Sequence, residues 1–127
     1  MTKKEDKEIK ILFSPEFGQE YNALMKEIEQ EQKKGIKNSF NSQLLKAIDR
    51  TIEQLKINPQ YGIHIPKKLI PKEYIEKYEL NNLWKTNLPS YWRMYYTLST
   101  TRLEILTVLI TFEDHEEYDK RFKYKKR

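Results

Sequence analysis

No cysteine occurs anywhere in this chain, which excludes disulfides, thiolate-bound metals and a cysteine nucleophile. Long apolar runs are missing as well. The longest, residues 103–112, is bounded or interrupted by Arg102, Glu104 and Glu113, well short of the roughly 20 residues a membrane-spanning helix needs. The opening MTKKEDKEIK mixes both charges and has no apolar centre, so it does not read as a secretory signal, and a cytoplasmic location is expected. No P-loop, G-x-G-x-x-G or G-x-S-x-G string is present, and neither internal repeats nor low-complexity linkers are found. His64 and His115 lie far apart, with no His/Asp/Glu cluster at ligand spacing; no metal and no small-molecule cofactor is expected.

What is there suits a soluble globular protein. The 127 residues are enough for one domain with one core. Aromatic residues make up 13%, nine tyrosines among them, too many for a disordered chain. A net charge of +5 and a pI near 9.2 favour an anionic partner, either nucleic acid or an acidic protein.

Residues 1–7 read as a charged lead-in, and Ile9, Ile11 and Phe13 alternate as a first strand. Ser14-Pro15-Glu16 then starts a helix, with Ser as N-cap, Pro at the first helical position and an acid facing the macrodipole. Phe17, Tyr21, Leu24 and Ile28 form its apolar stripe, and Gly35 ends it. Asn38 or Ser39 caps a second helix with the stripe Phe40, Leu44, Ala47, Ile48, Ile52 and Leu55, stopped by Asn58-Pro59. Residues 61–82 read as an irregular insertion, broken by Pro66 and Pro71, with two helical turns after Pro71. Three strands follow, Leu83–Leu88, Trp92–Leu98 and Leu103–Phe112, then a basic tail at 120–127. The third strand is apolar on both faces, as a central strand would be. The expectation is an α+β fold in which a helical hairpin covers one face of a sheet made from the N-terminal strand and an antiparallel three-stranded meander.

The order of these elements carries a family resemblance. So does the local text: an aromatic-Lys strand, a short turn, Trp92-Arg93-Met94-Tyr95-Tyr96, an apolar strand, then His115 and Tyr118. Over roughly residues 8–122 the chain resembles the RelE/ParE toxin superfamily, most of all its long archaeal-type RelE members. The resemblance implies a RelE-like domain over 1–127 with a short C-terminal helix. It also implies a toxin of a type II toxin–antitoxin system, a metal-independent endoribonuclease that cleaves mRNA on the ribosome and is silenced by a cognate antitoxin. ParE-type members share the fold and act on DNA gyrase by protein binding.

Metal-free RNA cleavage by the neighbouring 2′-hydroxyl needs a base, an acid for the leaving oxygen, and cations for the crowded phosphate. Residue by residue, the resemblance assigns Arg93 to clamp the phosphate, Lys85 to act as base or charge stabiliser, His115 to transfer protons, and Tyr118 to stack on or orient the substrate. Asn87 stands where the family can carry a second Lys. Lys120, Arg121, Lys123, Lys125 and Lys126, with Phe122 and Tyr124 interleaved, form a candidate RNA-binding tail. Each residue also has a structural reading: Arg93 as a sheet arginine paired with an acid, Tyr118 as packing for the last turn.

Two features decide the site. With a three-residue loop at Pro89-Ser90-Tyr91, Lys85 and Asn87 share a sheet face with Arg93 and Tyr95, and Asn87 stands opposite Arg93; a two-residue loop puts them on opposite faces. Some RelE members carry an acid-acting Arg six residues before the Tyr, where this chain has Phe112. Either His115 takes that role or the protein cleaves poorly or not at all. The alternatives are therefore a ParE-like toxin acting by protein binding, and a catalytically inactive RelE-fold RNA-binding protein.

Overall fold

The computed structural model describes residues 7–114. The first strand, β1 (Glu8–Phe13), leads through Ser14 into α1 (Pro15–Lys33) and then α2 (Phe40–Ile57). The predicted caps form. Ser14 Oγ accepts from the Phe17 amide at 3.0 Å and donates to the Ile110 carbonyl at 2.7 Å, so one side chain both starts the helix and ties it to the sheet. At the other end Gly35, at φ 81, donates to Gln32, and Ile36 donates to Glu31; these two bonds make a left-handed helix stop that glycine adopts without strain. Of the two candidate caps for α2, Ser39 is the one used, accepting from the Ser42 amide at 3.1 Å.

After α2 come β2 (Ile63–His64), a 3₁₀ turn at Lys67–Leu69, α3 (Lys72–Tyr78), β3 (Trp84–Asn87), a second 3₁₀ turn at Pro89–Tyr91, β4 (Arg93–Thr100) and β5 (Glu104–Glu113). The strands form one sheet in the order β1-β5-β4-β3-β2. β1 runs parallel to β5, and the remaining neighbours are antiparallel. The α+β architecture is as expected: an N-terminal strand, a helical hairpin, and an antiparallel meander whose last strand, β5, lies between β4 and β1. The expected short C-terminal helix lies outside the described residues. Among the described residues no helix is long and apolar enough to cross a membrane.

The insertion at 61–82 differs from its irregular reading. It supplies a fifth strand, β2, paired to β3 through Ile63↔Lys85 and His64↔Trp84. It also supplies a second core. On the helical face of the sheet, Phe17, Leu24, Leu44, Ile48 and Leu55 pack against Leu88, Met94, Tyr96, Leu109 and Phe112. On the opposite face, Ile65, Ile70, Tyr74 and Leu80 pack over Leu83, Tyr95 and Ile110. Each large apolar side chain buried this way contributes roughly 1.5–3 kcal/mol, so this cover is a structural layer and not a loose loop. Tyr95, which is fully buried, meets the Tyr74 ring edge-on at 6.2 Å.

α3 is clipped to the start of α1 by Glu16, which accepts from Tyr78 Oη at 2.9 Å and pairs with Lys77 Nζ at 2.5 Å. Lys77 first, and Tyr78 second, hold the Glu16 carboxyl below the ordinary carboxylate range. Burial, and then Glu16 itself, push the Tyr78 phenol up.

Candidate functional site

The hairpin between β3 and β4 fixes the geometry. Leu88 N donates to Trp92 O at 2.8 Å, leaving the three-residue loop Pro89–Tyr91 outside that bond. Of the two registers open from sequence, the three-residue one is formed: Asn87 pairs with Arg93 and Lys85 with Tyr95. Met94 and Tyr96 point into the helical core, and Tyr95 into the opposite one. By alternation Lys85, Asn87 and Arg93 lie on the face away from the helical hairpin.

The loop is strained. Ser90 has φ 55 and ψ 41, and Tyr91 has φ 67. Two successive left-handed residues, neither of them glycine, cost on the order of 1–2 kcal/mol each. Tyr91 is also 69% exposed.

A further residue enters from β5. Arg93 pairs across the ladder with Glu113, and Met94 with Phe112. Phe112 is thus on the helical face, where its ring meets Phe17 at 5.4 Å and Trp92 at 6.1 Å. The resemblance puts an acid-acting Arg of some RelE members at this position; here it faces the core, away from Arg93. Glu113, 8% exposed, is the β5 residue that pairs with Arg93 and lies beside it on that face. The cause is a bulge. The register runs Tyr95↔Thr111 and then Tyr96↔Leu109, so Ile110 is an extra residue that shifts the phase of everything after it. Ile110 fills the second core, and Thr111 donates to the Glu20 carboxylate at 2.8 Å. Glu20 also accepts from the Phe112 amide at 3.2 Å, on the edge of β5 that β1 leaves uncovered beyond Leu109.

Two rows therefore cross the face away from the helical hairpin. One is Asn87–Arg93–Glu113, and the other is Lys85–Tyr95–Thr111. Tyr95 lies under Tyr74 of α3, and so it offers no free ring. Asn87 is exposed and Arg93 and Lys85 are half-buried. The Arg93 guanidinium donates to the Trp92 carbonyl at 3.3 Å. The chemistry available is one guanidinium fork, one ammonium, one amide with donor and acceptor, and one carboxylate.

No family model and no curated protein matches this chain. Some solved structures are similar to it. One is the YoeB/ParE toxin from Agrobacterium tumefaciens, at TM-score 0.49 and 17% identity, covering 84% of this chain and 98% of that one. Another is the YoeB dimer from Staphylococcus aureus, at TM-score 0.47 and 19% identity, covering 85% and 98%. At such identities and TM-scores neither likeness bears on what this chain does.

Of the residues expected from sequence, the structure brings Lys85, Asn87 and Arg93 onto one face. His115, Tyr118, Lys120, Arg121, Lys123, Lys125 and Lys126 lie outside the described residues. His64 sits on the β2–β3 edge, its ring 4.9 Å from Trp84, away from the Arg93 row. Among the described residues no three His, Asp or Glu side chains converge as a metal site would require. Sequence reading missed Glu113, which it took only as the end of an apolar run.

Proposed function

We propose that this protein is a RelE-type toxin of a toxin–antitoxin pair, a metal-independent endoribonuclease acting on mRNA at the ribosome and neutralised by a cognate antitoxin. The observation that carries this reading is the register of the β3–β4 hairpin. It puts the guanidinium, ammonium and amide of Arg93, Lys85 and Asn87 on one face, the residue types that phosphate clamping and base-edge contact require. Arg93 is assigned to the scissile phosphate and Lys85 to the charge developing beside it. His115 and Tyr118 are assigned to proton transfer and substrate orientation, and the basic tail to rRNA phosphates.

The test is cleavage of ribosome-programmed mRNA by wild type and by Arg93→Ala. Removing one preorganised donor from a developing oxyanion slows such reactions about 10²- to 10³-fold, and that loss is expected here. Intact message with stoichiometric wild-type protein sinks the nuclease. Cleavage indifferent to Arg93→Ala sinks the site while sparing the activity.

A second reading is a toxin of ParE type that works by binding a protein. Glu113 favours it, because a carboxylate in register with Arg93 offsets the positive charge that would attract phosphate. Inhibition of gyrase supercoiling by the wild-type chain, with message left intact, would move the assignment there.

A further inference from the structure

β1 is one border of the sheet, with β5 on its inner side and, among the described residues, no strand on its outer side. The direction of its backbone groups follows from two bonds. The amides of Glu8 and Ser14 donate to the carbonyls of Leu103 and Leu109, so even-numbered residues turn their backbone groups to β5, and Ile9 and Ile11 turn theirs outward. An open edge of this kind is a template for another strand. A single lysine on such an edge ordinarily repels one, but Lys10 has Glu8 two residues before it. Both are exposed, and by alternation they share the face opposite the helices, since Ile11 packs into the helical core. Lys10 Nζ bonds the Glu104 carboxylate at 2.8 Å. Glu8 stands beside Glu104 in the ladder, next to a like charge, and forms no ion pair among the described residues.

These charges select the strand that fits. A second copy of β1, antiparallel about a two-fold axis, can pair the outward residues in few registers. Centred on Lys10, it sets Lys10 against its own copy, and like charges directly opposite are destabilising. Centred on Ile11, it sets Lys10 against Leu12 and Glu8 against Ser14, whose side chain is buried at the start of α1. Centred on Ile9, it sets Glu8 of each copy against Lys10 of the other. Ile9 then pairs with itself through backbone bonds, and the two Glu8–Lys10 pairs fall at the non-hydrogen-bonded positions, where side chains come closest. By symmetry both pairs form at once, and each supplies Glu8 with a cation beside Glu104. The net charge of +5 on each chain opposes the approach, but that repulsion is screened beyond roughly 8 Å at physiological ionic strength, so contacts at the strand decide.

We propose that β1 is a self-association edge: two copies of this chain pair β1 with β1 about a two-fold axis at Ile9, joining their sheets into one and exchanging Glu8–Lys10 ion pairs. The contact is independent of the ribonuclease reading.

The full chain tests it in two ways. It contains no cysteine, so a single introduced thiol reports the register. In the hydrogen-bonded Ile9 pair the α-carbons stand about 5.5 Å apart, a separation that a disulfide spans. Oxidised Ile9→Cys should therefore become a covalent dimer, whereas Ile11→Cys and Leu12→Cys, whose copies lie several residues apart, should stay monomeric under the same conditions. Sedimentation equilibrium from micromolar to millimolar concentration supplies the second readout. Glu8→Lys and Lys10→Glu each put like charges at both pairs and should weaken dimerisation roughly tenfold or more. The double variant Glu8→Lys/Lys10→Glu restores opposite charges and should return to within about threefold of wild type. Ile9→Cys keeps both charges, so its result stands even where a charge variant folds poorly.

Wild type that sediments as a monomer throughout overturns the proposal. So do single charge variants that dimerise like wild type, a double variant that does not recover, or oxidised Ile9→Cys that cross-links no faster than Ile11→Cys or Leu12→Cys.

Discussion

Substituting Gly62 by Ala should damage both stability and the site, and the size of the effect follows from the packing at the β2–β3 edge. A β-carbon built at Gly62 would stand 2.5 Å from the Lys85 carbonyl oxygen, 2.8 Å from Tyr96 Oη and 3.0 Å from Thr86 Cγ2. The nearest of these is backbone, which has no rotamer to yield. Restoring ordinary contact requires β2 to retreat from β3 by most of an ångström. That retreat also strains the bond from the Gly62 amide to Tyr96 Oη, 2.9 Å, on a hydroxyl that itself donates to Pro59 O at 3.0 Å. Overpacking of this kind costs about 1–3 kcal/mol, and a weakened hydrogen bond adds roughly 1. The stiffer unfolded chain of the alanine variant returns about 0.4–1 kcal/mol. The net loss is about 2–3 kcal/mol, which for a chain of this length is a fall of roughly 8–12 °C in melting temperature. Because the displaced carbonyl is that of Lys85, cleavage by the folded variant should also drop, by up to about 10²-fold if Lys85 shifts by 1 Å. Gly18→Ala is the control. Nothing lies within 4 Å of its β-carbon, so within α1 it should gain roughly 0.5–1 kcal/mol. Thermal melts followed by circular dichroism read both variants. A Gly62→Ala protein that melts at or above wild type would refute the close-approach argument.

Two further outcomes follow from particular groups. Glu113→Gln keeps the shape of the side chain beside Arg93 and removes its charge. We expect the variant to bind RNA more tightly than wild type, because the carboxylate that offsets the Arg93 charge is gone, and unchanged affinity would refute that offset. Glu16 has a lowered folded-state pKa because Lys77 and Tyr78 bond its carboxylate. Its contribution is therefore present above the ordinary value of 4.5 and is lost as pH falls through the lower folded value. Amide hydrogen exchange in α3 should accelerate over that acid window in wild type. In Glu16→Gln it should already be faster at neutral pH, and equal exchange in the two proteins at neutral pH would remove Glu16 as the clip.

The parts of this fold legible in the sequence are those whose signals are local. The helical hairpin announces itself through a 3.6-residue stripe and four punctuation marks, Ser14-Pro15, Gly35, Ser39 and Asn58-Pro59, and each mark is where α1 or α2 starts or stops. The second core was invisible for the opposite reason. Ile65, Ile70, Tyr74 and Leu80 recur at intervals of no helix or strand period, so only tertiary packing reveals them as one surface. β2 is two exposed residues long and carries no alternation to read. The hairpin loop stayed ambiguous because Pro89-Ser90-Tyr91 contains no glycine or asparagine to mark the left-handed positions.

The site turns on a subtler failure of the same kind. A strand of strict alternation would put Phe112 beside Arg93 and Glu113 in the helical core, since Ile110 faces the second core and residues two apart share a face. The bulge at Ile110 reverses this, and with Thr111 as its one polar residue Leu109-Ile110-Thr111-Phe112 does not betray a shift of one residue. Had the strand been polar on one side, the slip would have shown as two successive residues of the same type. A central strand covered on both faces erases that marker while it stabilises the sheet. The same burial that makes β5 a good core strand therefore hides which of its side chains meets Arg93. That one-residue difference replaces an apolar ring with a carboxylate, and with it the chemistry the row can perform.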